Sequence, residues 1–340
     1  MSPGPESRGS PERDRVLAAV AQEYGCEPCD PRTYDGEHDR NYRFTDQAGQ
    51  DWVAKVSDAW VPAVSLDWQE SLLQTAAEAS LPFAVPSLRR TRDGRTRISV
   101  PAGAGGALAV RVVGWVAGTR LAEVPDPGLS TFRKVGEASA LLTEAFSRLS
   151  APADLPAHDW LLHRGPEVVR AGLARLDAAG RRTGAAELRE RAERVRRFVE
   201  EFERVHAPRL DGVPWTVVHQ DLHDGNLLVD ASGKLSGVID FGDAHRVPRV
   251  CDPAIAAAYA MRRTEDPLAR LRAVAEGYER HVPLTAEERA LLLPLATLRL
   301  CVNWALWHAR AAESPVLIEE DDYERLRSKD TWATLEALLR

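Results

Sequence analysis

His219-Gln220-Asp221-Leu222-His223-Asp224-Gly225-Asn226, with Ile239-Asp240-Phe241-Gly242 behind it, is the stretch that decides how this chain is read. It spells HxDxxxxN and then DFG, with Asp240 fourteen residues after Asn226. Transfer of a phosphoryl group calls for these side chains in this order. Asp221 supplies a carboxylate to take or orient the acceptor hydroxyl proton. Asn226 and Asp240 supply the oxygens that hold the Mg2+ neutralising the nucleotide phosphates.

The flanking residues fit that chemistry. Trp215 to Val218 is a short β-branched run and predicts a strand; Leu227-Leu228-Val229 and Leu235 to Ile239 predict two more. The turn formers Asp230-Ala231-Ser232-Gly233-Lys234 join the last two. Such a hairpin would bring Asn226 and Asp240 to the same end of a small sheet, where oxygen ligands suit a hard cation that shares its shell with phosphate. The competing reading is a polar hairpin capped by Asp and Asn. It needs three functional residue types to fall at two fixed spacings by accident.

Lysine is scarce: Lys55, Lys134, Lys234 and Lys329 stand against forty arginines. A lysine inside the apolar strand Trp52-Val53-Ala54-Lys55-Val56 is therefore informative, and it matches the VAIK pattern. A compact ammonium on a flexible stem reaches two phosphates where a planar guanidinium is bulkier. A strand-edge lysine facing water is the alternative.

The chain has 340 residues, 44% hydrophobic and 28% charged, enough for two lobes with cores of their own. Its net charge of −7 argues against nucleic acid as the main partner and favours a cationic or zwitterionic acceptor. No run of 18 apolar residues occurs, so neither a transmembrane helix nor a membrane partner is expected. The first residues lack the apolar core of a secretory signal and read as a disordered tail, 1–12, and a cytoplasmic location is expected. Cys26-Glu27-Pro28-Cys29 is a lone CxxC without further ligand pairs, so reduced structural cysteines are expected there.

Helical spacing is expected over 12–24, with Val16, Leu17, Val20 and Tyr24 on one side. Strands are expected over 32–46 and 51–57, a helix over 66–79, and strands over 85–92, 96–101 and 108–114, with a loop at Gly103 to Gly106. From Ser130 the pattern turns helical: 131–150, 167–206, 253–263, 267–281, 285–297, 298–313 and 320–339. The boundary falls in the Gly- and Pro-rich segment near 114–125. The expected domains are thus 13–116, a nucleotide-binding N-lobe, and 117–340, a C-lobe with the catalytic hairpin and a helical acceptor-binding region.

The stretch Val217 to Ala258, with IDFGD and then Val250-Cys251-Asp252-Pro253-Ala254-Ile255-Ala256, resembles the aminoglycoside phosphotransferase and choline kinase family, and within it the hydroxylysine kinase-like branch. Gly36-Glu37-His38-Asp39-Arg40-Asn41-Tyr42-Arg43-Phe44 and Pro248-Arg249-Val250-Cys251-Asp252 carry the branch likeness. The resemblance implies an α+β, bilobal, protein-kinase-like fold with a small antiparallel-sheet N-lobe and a mostly helical C-lobe. It implies ATP or GTP as donor, Mg2+ at Asn226 and Asp240, and Asp221 as the catalytic carboxylate. It implies Lys55 on the α/β-phosphates, Glu70 as its ion-pair partner with Asp67 as rival, and His219 as a structural residue of the catalytic loop. The segment Asp35 to Asn41, including Gly36 and His38, would position the nucleotide, and Val113 and Trp115 would line the base pocket. One glycine stands where protein kinases have GxGxxG.

Protein kinases share HxD and DFG, but their long activation segment is missing here. Asp243 to Ala258 contains no Ser, Thr or Tyr, and no APE follows. A small acceptor is therefore expected. Candidate acceptor residues are Asp243 and His245, with second-layer packing as the alternative; Asp159, alternatively a helix cap; and Trp304, alternatively core. The acidic run Glu319 to Asp322, with Glu324, would attract an amine or simply favour a helix N-terminus. The leading expectation is a kinase acting on a hydroxyl of an aminoglycoside, a hydroxylated amino acid or a related amine. A Ser/Thr kinase of a peptide natural-product precursor and an inactive nucleotide-binding module are the rivals.

Overall fold

A computed structural model describes residues 11–35, 39–102, 106–180, 186–313 and 331–339. The chain divides into two compact units: one runs to Thr119 and takes in Pro152–Leu155 and Ser236–Gly242, and the other holds the rest. The piece carrying Asp240, expected within 117–340, belongs to the first unit.

The first unit opens with helix α1 (Pro11–Tyr24), which starts inside the tail expected over 1–12. Strands β1 (Cys29–Asp35), β2 (Arg40–Thr45) and β3 (Asp51–Ser57) follow, then helix α2 (Ala63–Glu78) and strands β4 (Arg97–Pro101) and β5 (Ala107–Gly114). The five strands form one antiparallel sheet in the order β1-β2-β3-β5-β4. Val16, Leu17, Val20 and Tyr24 pack with Phe44, Ala54, Val56, Val110 and Val112 into a single core cluster. The Tyr24 hydroxyl ties the helix to the sheet by donating to the Val110 and Thr96 carbonyls.

Two expectations change here. The strand expected over 32–46 is two strands, paired antiparallel with Asp35 opposite Arg40. The strand expected over 85–92 is absent; Pro86 has no N–H to give a ladder, and only isolated bridges remain, Leu88 with Val113 and Ala84 with Gly237. The second bridge matters for the site. Ala84 donates to the Ser236 carbonyl at 2.9 Å and accepts from Val238 at 3.0 Å, which fixes the backbone two residues before Asp240.

In the second unit, β6 (Thr119–Arg120), whose first residue belongs to the first unit, leads to α3 (Leu129–Phe146), α4 (Gly165–Gly180) and α5 (Ala186–Val205). Then come β7 (Trp215–Val218), β8 (Leu227–Val229), β9 (Leu235–Val238, in the first unit from Ser236) and β10 (His245–Pro248). Helices α6 (Cys251–Ala260), α7 (Pro267–Tyr278) and α8 (Ala286–Glu313) follow. β10 pairs antiparallel with β7, with His245 opposite Val218. Every residue of α6 is buried.

Helices α3 and α7 cross at two glycines. A Cβ on Gly136 would lie 1.9 Å from the Val274 carbonyl oxygen, and one on Gly277 would lie 1.9 Å from that of Arg133. The two helices expected at 285–297 and 298–313 are one, α8, which runs through Pro294. Burial against its neighbours outweighs the lost hydrogen bond. By length and composition its Ala286–Ala312 segment passes for a membrane span, but 78% of its most apolar window is buried inside the protein, as in a core helix. Residues 331–338 are helical, within the expected 320–339. Gly36, His38, the run Glu319 to Asp322 with Glu324, and most of the 103–106 loop lie outside the described residues.

Candidate active site

In the first unit, the Lys55 ammonium on β3 lies 3.6 Å from Asp240 Oδ1 and 3.6 Å from Asp39 Oδ2. Desolvation opposes its charge, but the carboxylates of Asp240 and Asp39 outweigh it and raise its pKa. Asp240 itself is half exposed and adopts φ +64°, a conformation that L side chains rarely take, so the chain stores strain at this carboxylate.

Glu70 is not the partner of Lys55. It accepts from Arg97 at 2.9 Å and from the Thr96 hydroxyl, and Asp67 pairs with the same Arg97 at 2.6 Å. The reason is a second cation. Arg111 stands opposite Lys55 in the β3–β5 register and is 2% exposed. Its guanidinium donates to Gln69 Oε1 at 2.8 Å and reaches Asp39 and Ser57. Gln69 therefore holds the sheet-facing position on α2, which turns Glu70 towards β4. Asp39 is further fixed by accepting from the Ser57 hydroxyl at 2.6 Å.

Asn41 is buried in β2 opposite Lys55, and its amide donates to the Asp39 carbonyl at 3.1 Å. It thus braces Asp39 just ahead of β2. Val113 is buried in β5, and Trp115 just beyond it is covered by the Arg43 guanidinium at 4.2 Å.

In the second unit the loop after β7 is pinned residue by residue. Gln220 adopts φ +67° and is fully buried. Its N–H donates to Asp252 Oδ1 at 2.7 Å, and its side-chain amide donates to the Trp160 carbonyl at 3.2 Å. Asp252, at the start of α6, also accepts from the Ser139 hydroxyl at 2.6 Å. Burial pushes its pKa up to about 6 although both hydrogen bonds pull it down. His219 Nδ1 accepts from the Asp221 N–H at 3.3 Å, which closes the turn and fits the structural part expected of His219.

This frame presents the Asp221 carboxylate, whose two oxygens are held differently. Oδ1 accepts from Arg299 Nη2 at 2.9 Å. Oδ2 accepts from Asn226 Nδ2 at 2.7 Å, and His223 Nε2 lies 3.4 Å away. The Gly225 N–H donates to His223 Nδ1 at 2.9 Å, so the ring proton sits on Nε2, facing Asp221. Asn226 Nδ2 also donates to the Asp221 carbonyl at 3.0 Å. With its N–H bonds committed to Asp221, Asn226 offers its carbonyl Oδ1 as an oxygen donor. An amide oxygen is a ligand that Mg2+ takes, and in the first unit the half-exposed carboxylate of Asp240 is of a kind that it takes too.

Burial opposes the charge on Arg299, but Tyr259, Asp221 and, last, the acceptor candidate Asp243 outweigh it and raise its pKa. His245 lies on β10 with its ring 6.4 Å from that of His158. Asp159 is exposed beside Trp160. Trp304 is a correction: it is fully buried, 4.5 Å from His308 and 5.5 Å from Trp332 by ring centroids, and belongs to the core.

Arg111, Arg299 and a role for Asp252 went unseen in the sequence, and Asp39 was expected only as part of the segment positioning the nucleotide. A signal existed for two of them, since Arg111 and Arg299 interrupt the apolar runs Ala109-Val110-Arg111-Val112-Val113 and Leu298-Arg299-Leu300-Cys301-Val302.

A kinase-like sheet unit with a paired strand lysine, and a helical unit with a pinned HxDxxxxN loop, define a phosphotransferase of the kinase class. The chain belongs to the phosphotransferase enzyme family (APH), whose model matches residues 32–291. Hydroxylysine kinase of Mus musculus is 27% identical over 322 residues, covering 88% of this chain and 82% of that protein. Among solved structures, an amicoumacin kinase in complex with AMP-PNP and Ca2+ superposes with a TM-score of 0.67 at 16% identity, over 96% of this chain and 94% of that one. A microcompartment-associated aminopropanol kinase gives 0.64 at 19% identity, over 95% and 97%. The α+β protein-kinase-like fold expected from the sequence is the one observed, and the chain is a small-molecule kinase.

Proposed function

We propose that the chain transfers the γ-phosphate of ATP or GTP to a hydroxyl of an amine-bearing small molecule, with a hydroxylated amino acid as the first candidate. The observation that carries this reading is the Asp221 carboxylate, fixed through both oxygens on a rigid loop. The acceptor class draws support from the mouse hydroxylysine kinase, which this chain resembles over most of its length.

In this reading Lys55 anchors the nucleotide phosphates, and Asp39 holds the ammonium in place. Asn226 and Asp240 would hold Mg2+, which supplies charge neutralisation to the phosphates when bound. Asp221 accepts a hydrogen bond from the acceptor hydroxyl and aims its oxygen at the γ-phosphorus; holding both reactants in line is worth roughly 7–11 kcal/mol. Asp243 and Asp159 offer negative charge to an acceptor ammonium.

The test is incubation with Mg-ATP or Mg-GTP and, in parallel, hydroxylysine, other hydroxylated amines, aminoglycosides and Ser-rich peptides, with phosphorylated product read by mass spectrometry. Product from an amine-bearing small molecule is expected. Product from peptides alone would overturn the reading.

A further inference from the structure

Arg299 lies far along the chain from the catalytic loop, in the middle of α8, and is 2% exposed. A buried guanidinium is costly unless its donors and charge are met. Two hydrogen bonds and two ring contacts meet most of them, while Nε has no hydrogen-bond partner among the described residues. Nη2 donates to Asp221 Oδ1 at 2.9 Å, and Nη1 donates to the Trp160 carbonyl at 3.1 Å. The guanidinium carbon stands 4.6 Å from the Trp160 ring centroid and 5.7 Å from that of Tyr259. The Trp160 carbonyl also accepts from the Gln220 side chain, so Arg299 and the residue before Asp221 share one anchor.

We infer that Arg299 is a positioning residue for phosphoryl transfer: it locks Asp221 through Oδ1, so that the carboxylate meets the acceptor hydroxyl in one orientation. This rests on the assignment of Asp221 to the reaction. The geometry supports it in two ways. A planar guanidinium held at two of its nitrogens and packed against two rings has little freedom, so the oxygen it holds has little either. The opposite oxygen is held by Asn226, so Arg299 fixes the oxygen that Asn226 does not, and the two together set the plane of the carboxylate. Arg299 itself is enclosed and acts through Asp221.

The experiment is a double-mutant cycle in the full chain, with Arg299→Met, Arg299→Lys, Asp221→Asn and the combined variants. It reads kcat with hydroxylysine, basal nucleotide hydrolysis, and nucleotide affinity by calorimetry. Arg299→Met is expected to lower kcat by about 10²-fold with nucleotide affinity within about threefold, the size of effect that removing one preorganised donor produces. Arg299→Lys keeps the charge but not both bonds, and is expected to recover part of that loss. In the Asp221→Asn background, neither Arg299 substitution should lower the rate further.

An equal further loss in that background, or full kcat in Arg299→Met, would overturn the inference. If Arg299→Met does not fold, Arg299→Lys carries the cycle, with a loss of about tenfold expected in the wild-type background and none in the Asp221→Asn background. Full activity of Asp221→Asn alone would sink the site assignment instead. If hydroxylysine is not a substrate, basal hydrolysis gives the same cycle.

Discussion

Lys55 of β3 and Asp240 form an ion pair, with Nζ 3.6 Å from Oδ1, inside the first unit. The aspartate arrives there because β9 pairs through Gly237 with Ala84, so the strand that ends on DFG is built into the unit that carries the lysine. Asp240→Ala is therefore expected to abolish Mg2+-dependent nucleotide binding. Lys55→Met is expected to lower kcat/KM for the nucleotide by about 10²-fold. Calorimetry with and without Mg2+ separates the two effects.

The other partner of Lys55 is Asp39, and Glu70 is committed to Arg97 and Thr96. Asp39→Asn should raise the nucleotide KM by about tenfold, the size of a lost charge-assisted contact. Glu70→Gln should leave KM within about twofold and lower stability by about 1 kcal/mol. Steady-state kinetics and denaturant melts of both variants check this, and a large KM effect of Glu70→Gln would contradict it.

Asp252 gives a pH signature. Its pKa is raised from 3.8 to about 6 by burial, so between these values the folded protein holds a proton that the unfolded chain has released. Stability from this group is full below about pH 4 and is lost as pH rises towards 6, by about 3 kcal/mol. Asp252→Asn keeps an acceptor for the Gln220 N–H and does not titrate. Urea melts from pH 4 to 7 should show a smaller decline for this variant than for the wild type over that window.

The crossing of α3 and α7 predicts a stability effect far from the loop. Gly136→Ala or Gly277→Ala puts a methyl group onto a backbone carbonyl of the opposite helix. Overpacking of this kind costs about 1–3 kcal/mol, and the fixed backbone places these two at the upper end. A drop in thermal midpoint, with nucleotide affinity kept in the protein that remains folded, is the expected result.

What the sequence disclosed was whatever depends on local spacing. HxDxxxxN, DFG and the lone strand lysine are each contiguous, and the periodicity of α1 and the strands around Asp221 needs no partner to be seen. What stayed hidden depends on pairing across the chain. Nothing near Lys55 says that Arg111, opposite it on β5, will draw Gln69 inward and leave Glu70 facing β4. Arg299 reads as an oddity in an apolar helix until Asp221, 78 residues earlier, is found beside it. The spacing over 285–313 reads as two helices meeting at 297, yet the packing of α8 makes them one. Trp304 reads as a pocket wall or as core on spacing alone, and only its packing against Trp332 decides for core.

The most direct test of the central claim is the phosphorylation of hydroxylysine by wild type and Asp221→Asn under saturating Mg2+ and nucleotide, with affinity for the nucleotide measured on the same samples. Phosphorylated product is expected from the wild type, with a loss of at least about 10³-fold in Asp221→Asn and nucleotide affinity within about threefold. Turnover by Asp221→Asn at the wild-type rate would contradict it.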